Sequence, residues 1–314
     1  MIRNLSNLDS PAQGAFFAKQ LEHVKAQTYD VDYPELKARK LIPVSGDAGP
    51  GATSITYRQY DQVGVMELIA DYSNALKRVD ILGSEFTSPV KSIGGAYGYS
   101  LQEIRSAQMA NLNLDQRKAN AARRAFEEAV ERIAKTGNAE TGLKGFLNHA
   151  NVPRGDVAQG ATGADATAKR LWANKTPAEI VKDISAGVAS IISTTNEVEA
   201  GPFTLVIPTE QYALIASTKN SESSDVTILE FVLKSNPWIA EIVPWHALKG
   251  AGSGGTDRML FYTRHPDKLT LEIPQDFEQL NVQEVGLEFQ IPCHGRIGGV
   301  IWYRPYSARY VDGL

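Results

Sequence analysis

The stretch from Leu101 to Gly137 limits the fold more than any other. Apolar residues recur at Ala122, Phe126, Ala129 and Ile133, the i, i+4, i+7, i+11 spacing of one helix face. Arg117, Lys118, Arg123, Arg124, Glu127, Glu128, Glu131 and Arg132 fill the other positions. The pattern predicts helix over 101–135. Asn113 is placed to cap a segment starting at Leu114, and Gly137 is placed as the glycine just past the end. A helix with one apolar stripe must lay it on a second layer. Glu127 and Glu128 are adjacent, and adjacent helix positions do not face each other. They read as a solvated or subunit-facing charged side, not a catalytic pair.

Strands flank this helix. Ile55 and Tyr57, then Val63 and Val65, alternate as half-buried strands do, followed by Val79, Ile81 and the run Val90–Tyr99. Gly94, Gly95 and Gly98 lack the GxGxxG spacing and any βαβ context, so they read as a twisted strand with close backbone approach. Before them, residues 1–50 have scattered apolar positions and end in Pro43–Gly51, rich in Gly and Pro, which predicts an arm and a hinge. Asp30 and Asp32 have no further ligands nearby and read as a turn.

Residues 137–270 read as an α/β segment. Thr176, Pro177 and Glu179 are an N-cap, a first-turn proline and an early acid, predicting a helix to about Thr195. Phe203–Ile207 predicts a buried strand and Pro208 a short helix through Tyr212 and Ile215. Val226–Leu233 predicts a helix, and Ile239–Val243 and Met259–Tyr262 predict strands. Residues 250–255 predict a flexible loop. From 266 the pattern returns to β, at Leu269–Ile273, Val285–Ile291 and Val300–Tyr303.

Charge and chemistry narrow the function. The net charge is −4, so broad polycationic binding of nucleic acid is unlike this chain. The single cysteine, Cys293, excludes an intrachain disulfide and a multi-cysteine zinc site. Apolar runs are far shorter than the roughly 20 residues a spanning helix needs, and residues 1–20 hold no continuous apolar stretch after Arg3, so no targeting signal is expected. The expectation is a soluble protein of a reducing compartment. The five histidines have no HExxH spacing. Cys293 and His294 point to opposite strand faces. Gly137–Lys144 misses the P-loop pattern, since Leu143 parts Gly142 from Lys144 and no Ser or Thr follows. Ala251 breaks GxSxG at Ser253. His265-Pro266-Asp267 lacks a helical hairpin. The expectation is no catalytic residue, no metal and no cofactor.

Three segments, in order, carry a resemblance. They are Gly142-Leu143-Lys144-Gly145-Phe146-Leu147-Asn148, then Leu205-Val206-Ile207-Pro208 with Gln211-Tyr212, then Ile291-Pro292-Cys293 with Arg296, Gly298, Gly299, Val300, Pro305, Asp312 and Gly313. Together they resemble the major capsid proteins of tailed bacteriophages, which share the Johnson fold, in a subfamily long catalogued without known function. The resemblance spans roughly residues 50–314. It implies an α+β chain with an N-terminal arm (1–52), an extended E-loop hairpin (53–88), a peripheral P-domain around a spine helix (89–140 and 266–314) and an axial A-domain (141–265). The implied function is self-assembly into pentamers and hexamers of an icosahedral shell around double-stranded DNA, within a virion built in the host cytoplasm. Partners would be other copies, with separate scaffolding, portal and decoration proteins allowed. Packaged DNA would be held without specific recognition, and no membrane is involved. An encapsulin-like nanocompartment shell is the alternative, and a soluble α/β enzyme with a site assembled from distant residues is the reading from another class. Opposed charge blocks, Glu272, Asp276, Glu278, Glu284 and Glu288 against Arg296, Arg304 and Arg309, are candidates for pairing, either between subunits or within one.

Overall fold

In the computed structural model the described residues are 34–66, 78–109, 116–222 and 225–314. The predicted helical stretch contains α2 (Leu101–Met109) and α3 (Gln116–Thr136). Asn113 lies outside the described residues, as do Asp30 and Asp32. The buried line of α3 is Phe126, Val130 and Ala134, with Ala122, Ala129 and Ile133 half-buried beside it. That rotates the core face by about one residue from the expected stripe. The cause is Glu131, which the pattern put on the charged side. Its carboxylate is buried and accepts the Ala38 N–H (2.7 Å) and the Trp245 indole N–H (3.3 Å), with Lys135 Nζ at 3.4 Å. A buried carboxylate persists when donors surround it.

The Ala38 donor belongs to α1 (Ala38–Leu41), which sinks Ala38, Leu41 and Ile42 into the same core. After it, β1 (Val44–Ser45) pairs in parallel with β9 (Leu269–Glu272), and β9 pairs with β13 (Gly299–Trp302). Composition alone hid this docking, because so few apolar residues make it.

The C-terminal end of α3 leaves four carbonyls without helical partners, and the following turn satisfies all of them. Gly137 N–H reaches Ile133 O (2.7 Å), Phe146 N–H reaches Ala134 O (2.8 Å), Leu147 N–H reaches Lys135 O (2.9 Å), and Asn148 Nδ2 reaches Thr136 O (2.8 Å). The stretch that superficially suggested a phosphate loop is thus a capping hairpin, closed by the Asn138–Leu143 bridge. Gly137 (φ 69°) and Gly142 (φ 76°) turn it, and a Cβ on Gly145 would overlap the helix end. Phe146 then stacks on Trp302, with ring centroids 5.5 Å apart and planes 5° apart.

A mixed five-stranded sheet follows, in the order β5 (Arg154–Asp156), β14 (Ala308–Asp312), β8 (Arg258–Tyr262), β6 (Phe203–Ile207), β7 (Ile239–Pro244). Every residue of β6 and β8 is buried, because both faces are covered. Val206, Leu260, Tyr262 and Tyr310 point into the core around α3. Phe203, Leu205, Phe261 and Val311 point into a second core with α4 (Pro177–Thr194), α5 (Thr209–Ser217) and α6 (Ile228–Ser235). α4 starts at the expected N-cap Thr176, and Thr176 and Glu179 there close a reciprocal capping box. The strands β5, β14 and β10 (Gln275–Gln279) were not anticipated.

Two ion pairs are buried, one within the sheet and one at the start of α4. Arg258 binds Asp312 in bidentate fashion (2.6 and 2.8 Å), donates to Leu147 O, and lies over the Tyr310 ring at 4.6 Å. Lys175 pairs with Asp183, which also accepts the Trp172 indole N–H (3.1 Å). Beside the first pair, buried His149 accepts the Asn151 N–H on Nδ1 (3.3 Å). Burial, and secondarily Lys144, pushes its pKa down to about 4.

A Cβ at Gly137 would both demand a left-handed backbone and overlap the Leu143 carbonyl. Gly137→Ala should therefore cost about 2 kcal/mol or more, read as a lower urea midpoint with unchanged slope. For His149, the unfolded imidazole takes a proton near pH 6.5 and the folded one only near 4. Its neutral, buried form therefore stabilises fully above pH 6.5, and this contribution is lost as pH falls toward 4. His149→Asn should flatten the fall in stability across that window, measured by denaturant titration at several pH values.

Candidate assembly surface

Uncovered apolar side chains lie on an antiparallel ribbon of β2 (Ser54–Val63) and β3 (Asp80–Pro89), which pair in register from Ser54↔Pro89 to Val63↔Asp80. The alternation of Ile55 and Tyr57 does place a strand here, as expected. Yet its distal half lies open to solvent on both faces, and among its polar residues it carries exposed Tyr60 (69 %), Ile81 (61 %) and Leu82 (59 %), with Met66 just beyond β2 at 87 %. A two-stranded ribbon is marginal alone, and this one pairs with no other strand among the described residues. Its base is held firmly. Tyr57 stacks on Phe86 (5.3 Å) and meets Tyr303 edge-on (4.9 Å). Gln59 donates to Tyr303 O, and Ser88 Oγ donates to Gly298 O (3.2 Å). The ribbon is anchored at one end and uncovered at the other.

A second uncovered apolar tip lies on the sheet formed by β10, β12 (Glu288–Ile297), β11 (Gln283–Val285) and β4 (Lys91–Ser100). β12 pairs with β4 along its whole length. Here a Cβ on Gly98 would displace the Glu288 carboxylate and crowd the Phe289 carbonyl (3.1 Å), whereas Gly95 has open space around it. Val285 and Leu287 at the β11–β12 turn are exposed, as is Val282 just before β11.

The eight charged candidates separate by environment. Glu272 is buried, and its carboxylate accepts Thr270 Oγ1 (2.6 Å), Ser45 Oγ (3.0 Å) and Tyr303 OH (3.3 Å). Asp276 pairs with Arg39 (2.7 Å), whose hydrogen bond holds its pKa below the usual carboxylate range. Glu278 accepts from Gln275, Arg296 donates to Pro50 O, and Arg304 lies 3.7 Å from Glu199. Glu284 and Glu288 are exposed on the β11–β12 tip without an ion pair among the described residues. Arg309 is half-buried, also without a carboxylate partner, and burial lowers its pKa. Cys293 is buried and burial raises its thiol pKa, so it is not an activated nucleophile.

Sequence reasoning missed Glu131 and the Arg258–Asp312 pair. The only signal for the latter is an Asp before a C-terminal glycine, which no local rule marks as buried. Among the described residues, no group of His, Cys, Asp or Glu is arranged to hold a metal, and no helix is long and apolar enough to cross a membrane.

The motif segments have structural roles. Gly142–Asn148 caps α3. Leu205–Ile207 is the doubly buried strand, Pro208 is the N-cap of α5, and Gln211 donates to Asp257 (2.7 Å). Gly299 (φ 75°) turns into β13, whose Val300 N–H reaches Lys144 O (2.9 Å).

The fold is that of assembled shells. The capsid protein of Myoviridae phage XM1 superposes with a TM-score of 0.81 over 96 % of this chain and all of that one (100 %), at 19 % identity. The capsid of a native GTA particle gives 0.64 over 97 % and 99 %, at 12 % identity. A virus-like particle from Pyrococcus furiosus gives 0.52 over 87 % and 91 %, at 14 % identity. No curated protein sequence is significantly similar. The family model described as "Major capsid protein" matches residues 64–314, most of the chain, with its three motif segments, so this chain belongs to the major capsid protein family.

Proposed function

We propose that this chain assembles with copies of itself into the pentamers and hexamers of a closed icosahedral shell around packaged double-stranded DNA, within a virion built in the host cytoplasm. The observation that carries this reading is the anchored ribbon of β2 and β3, whose apolar side chains at the free end are uncovered. Withdrawing one large apolar side chain from water contributes about 1.5–3 kcal/mol before association costs. A neighbouring copy lying on the ribbon would supply that burial, and many such weak contacts add up in a shell. In this reading residues 53–88 are the E-loop, 1–52 the arm, 89–140 with 266–314 the peripheral domain, and 141–265 the axial domain. The near-neutral chain, net −4, suits a wall that encloses DNA without gripping it. No catalytic step is assigned to it. The nanocompartment alternative has less support, because the family model is that of major capsid proteins and the phage XM1 capsid superposes over nearly the whole chain.

Glu284 and Glu288, exposed and without an ion pair among the described residues, are the acidic candidates proposed to face another copy. Glu272 is not among them, since its carboxylate is occupied within the subunit.

Light scattering and negative-stain microscopy on the purified chain at rising concentration should reveal shells, capsomers or tubes. A monodisperse monomer throughout would overturn autonomous assembly. Enclosed nucleic acid rather than protein cargo is expected in complete particles. Glu284→Lys with Glu288→Lys should lower particle yield about tenfold, equivalent to about 1.4 kcal/mol, while the monomer melts at an unchanged temperature. Wild-type yield from that double variant would remove the acidic tip from the interface.

A further inference from the structure

Helix α4 lies on the five-stranded sheet with Ile180, Ile184, Val188 and Ile191 inward. Its outward side is Lys182, Ser185, Ala186, Ala189 and Ser193. A surface helix ordinarily turns a charged face to water, whereas this one is small and nearly neutral.

A cleft opens on each flank of α4. Toward β5 and β14, a cleft of about 190 Å³ is lined by Lys182, Ala186, Asp156 and Arg309. The carboxylates there are already engaged, Asp156 by Arg170 (2.7 Å) and Asp183 by Lys175. Lys182 and Arg309 have no carboxylate partner among the described residues. Toward α6 and β7, a cleft of about 770 Å³ is lined by Ile192, Asn196, Glu197, Asn236 and Trp238. Trp238 is 46 % exposed, and Glu197 is exposed and unpaired among the described residues. Asn196 (φ 48°) and Glu197 (φ 66°) both sit in the left-handed region, which places this acid just beyond the helix end.

β5 and β7 are the two outer strands of this sheet. One flank of α4 therefore offers unpaired cations toward one edge. The other offers an acid and an indole toward the opposite edge. Two different, complementary patches on one chain make a head-to-tail contact, the kind that closes rings. We propose that Glu197 and Trp238 of one copy seat against Lys182 and Arg309 of the next, with the small outward side of α4 allowing close approach. The occupant of each cleft is a second copy of this chain, chosen by charge complementarity and by the placement of both patches on one sheet. A guanidinium against an indole face adds a cation–π contact. The inference rests on the self-assembly reading and assigns it a specific interface.

The test compares Lys182→Glu, Glu197→Lys and the combination of both, by scattering and particle counts beside the wild type. All three should melt like the wild type, since both positions are exposed. Each single reversal should lower assembled yield at least about tenfold, and the combined reversal should recover most of it, because opposite charges again face each other. Single variants that assemble normally would overturn the interface. So would a combined variant as impaired as the two single losses multiplied together. Failure of the wild type to assemble is a separate outcome, and it would overturn the self-assembly reading itself.

Discussion

The termination of α3 governs what surrounds it. A helix end exposes carbonyls that must find donors, and here the donors are Gly137, Phe146, Leu147 and the Asn148 side chain. Meeting that demand brings the chain back against the helix immediately. Phe146 is thereby delivered to the stack on Trp302 and to the edge of Tyr262, 5.0 Å away. Leu147 places its carbonyl where Arg258 donates, and Phe146 places its own where the Tyr310 hydroxyl donates. One helix cap therefore sets the positions of strands that come more than a hundred residues later.

Buried charge follows the same logic. Arg258 with Asp312 and Glu131 with its donors are satisfied by groups from distant segments, whereas Lys175 and Trp172 satisfy Asp183 from eight and eleven positions away. Such pairs are weak evidence of net stability, because desolvation offsets attraction, but removal of one partner is costly. Their evident role is positional. Glu131 fixes where α1 begins, and Arg258 ties the last strand to the turn after α3. The outer surface differs, with uncovered apolar side chains at the ribbon's free end and the β11–β12 tip, and with charges on the flanks of α4 that lack an opposite partner among the described residues.

Much of this was legible in residue order. The Thr176–Glu179 box, the C′ glycine Gly137, the buried run Phe203–Ile207 and the alternation of Ile55 and Tyr57 are local signals, and the structure places a helix or strand at each. The failures share a cause. The burial of Glu131 depends on Ala38 and Trp245, 93 and 114 positions away. β5 and β14 are short and become strands only by pairing with distant partners. α1 docks through three apolar side chains that composition dilutes among polar neighbours. The exposed ribbon tip was the most ambiguous, since apolar alternation reads identically whether the second face meets its own core or nothing. Among the eight charges, only the fold separates the occupied Glu272 from the open Glu284 and Glu288.

The mixed sheet deserves one further thought. Its strands send alternate side chains into two cores, Val206 and Leu260 to one, Leu205 and Phe261 to the other. Neither core can lose its wall while the other keeps its own, so the pair should melt as one cooperative block. A half-molten subunit, with one apolar interior spilled open, is then a rare species. For a protein that meets its copies at high local density, this rarity acts as quality control. Errors are rejected as unfolded chains before they can be built into a lattice.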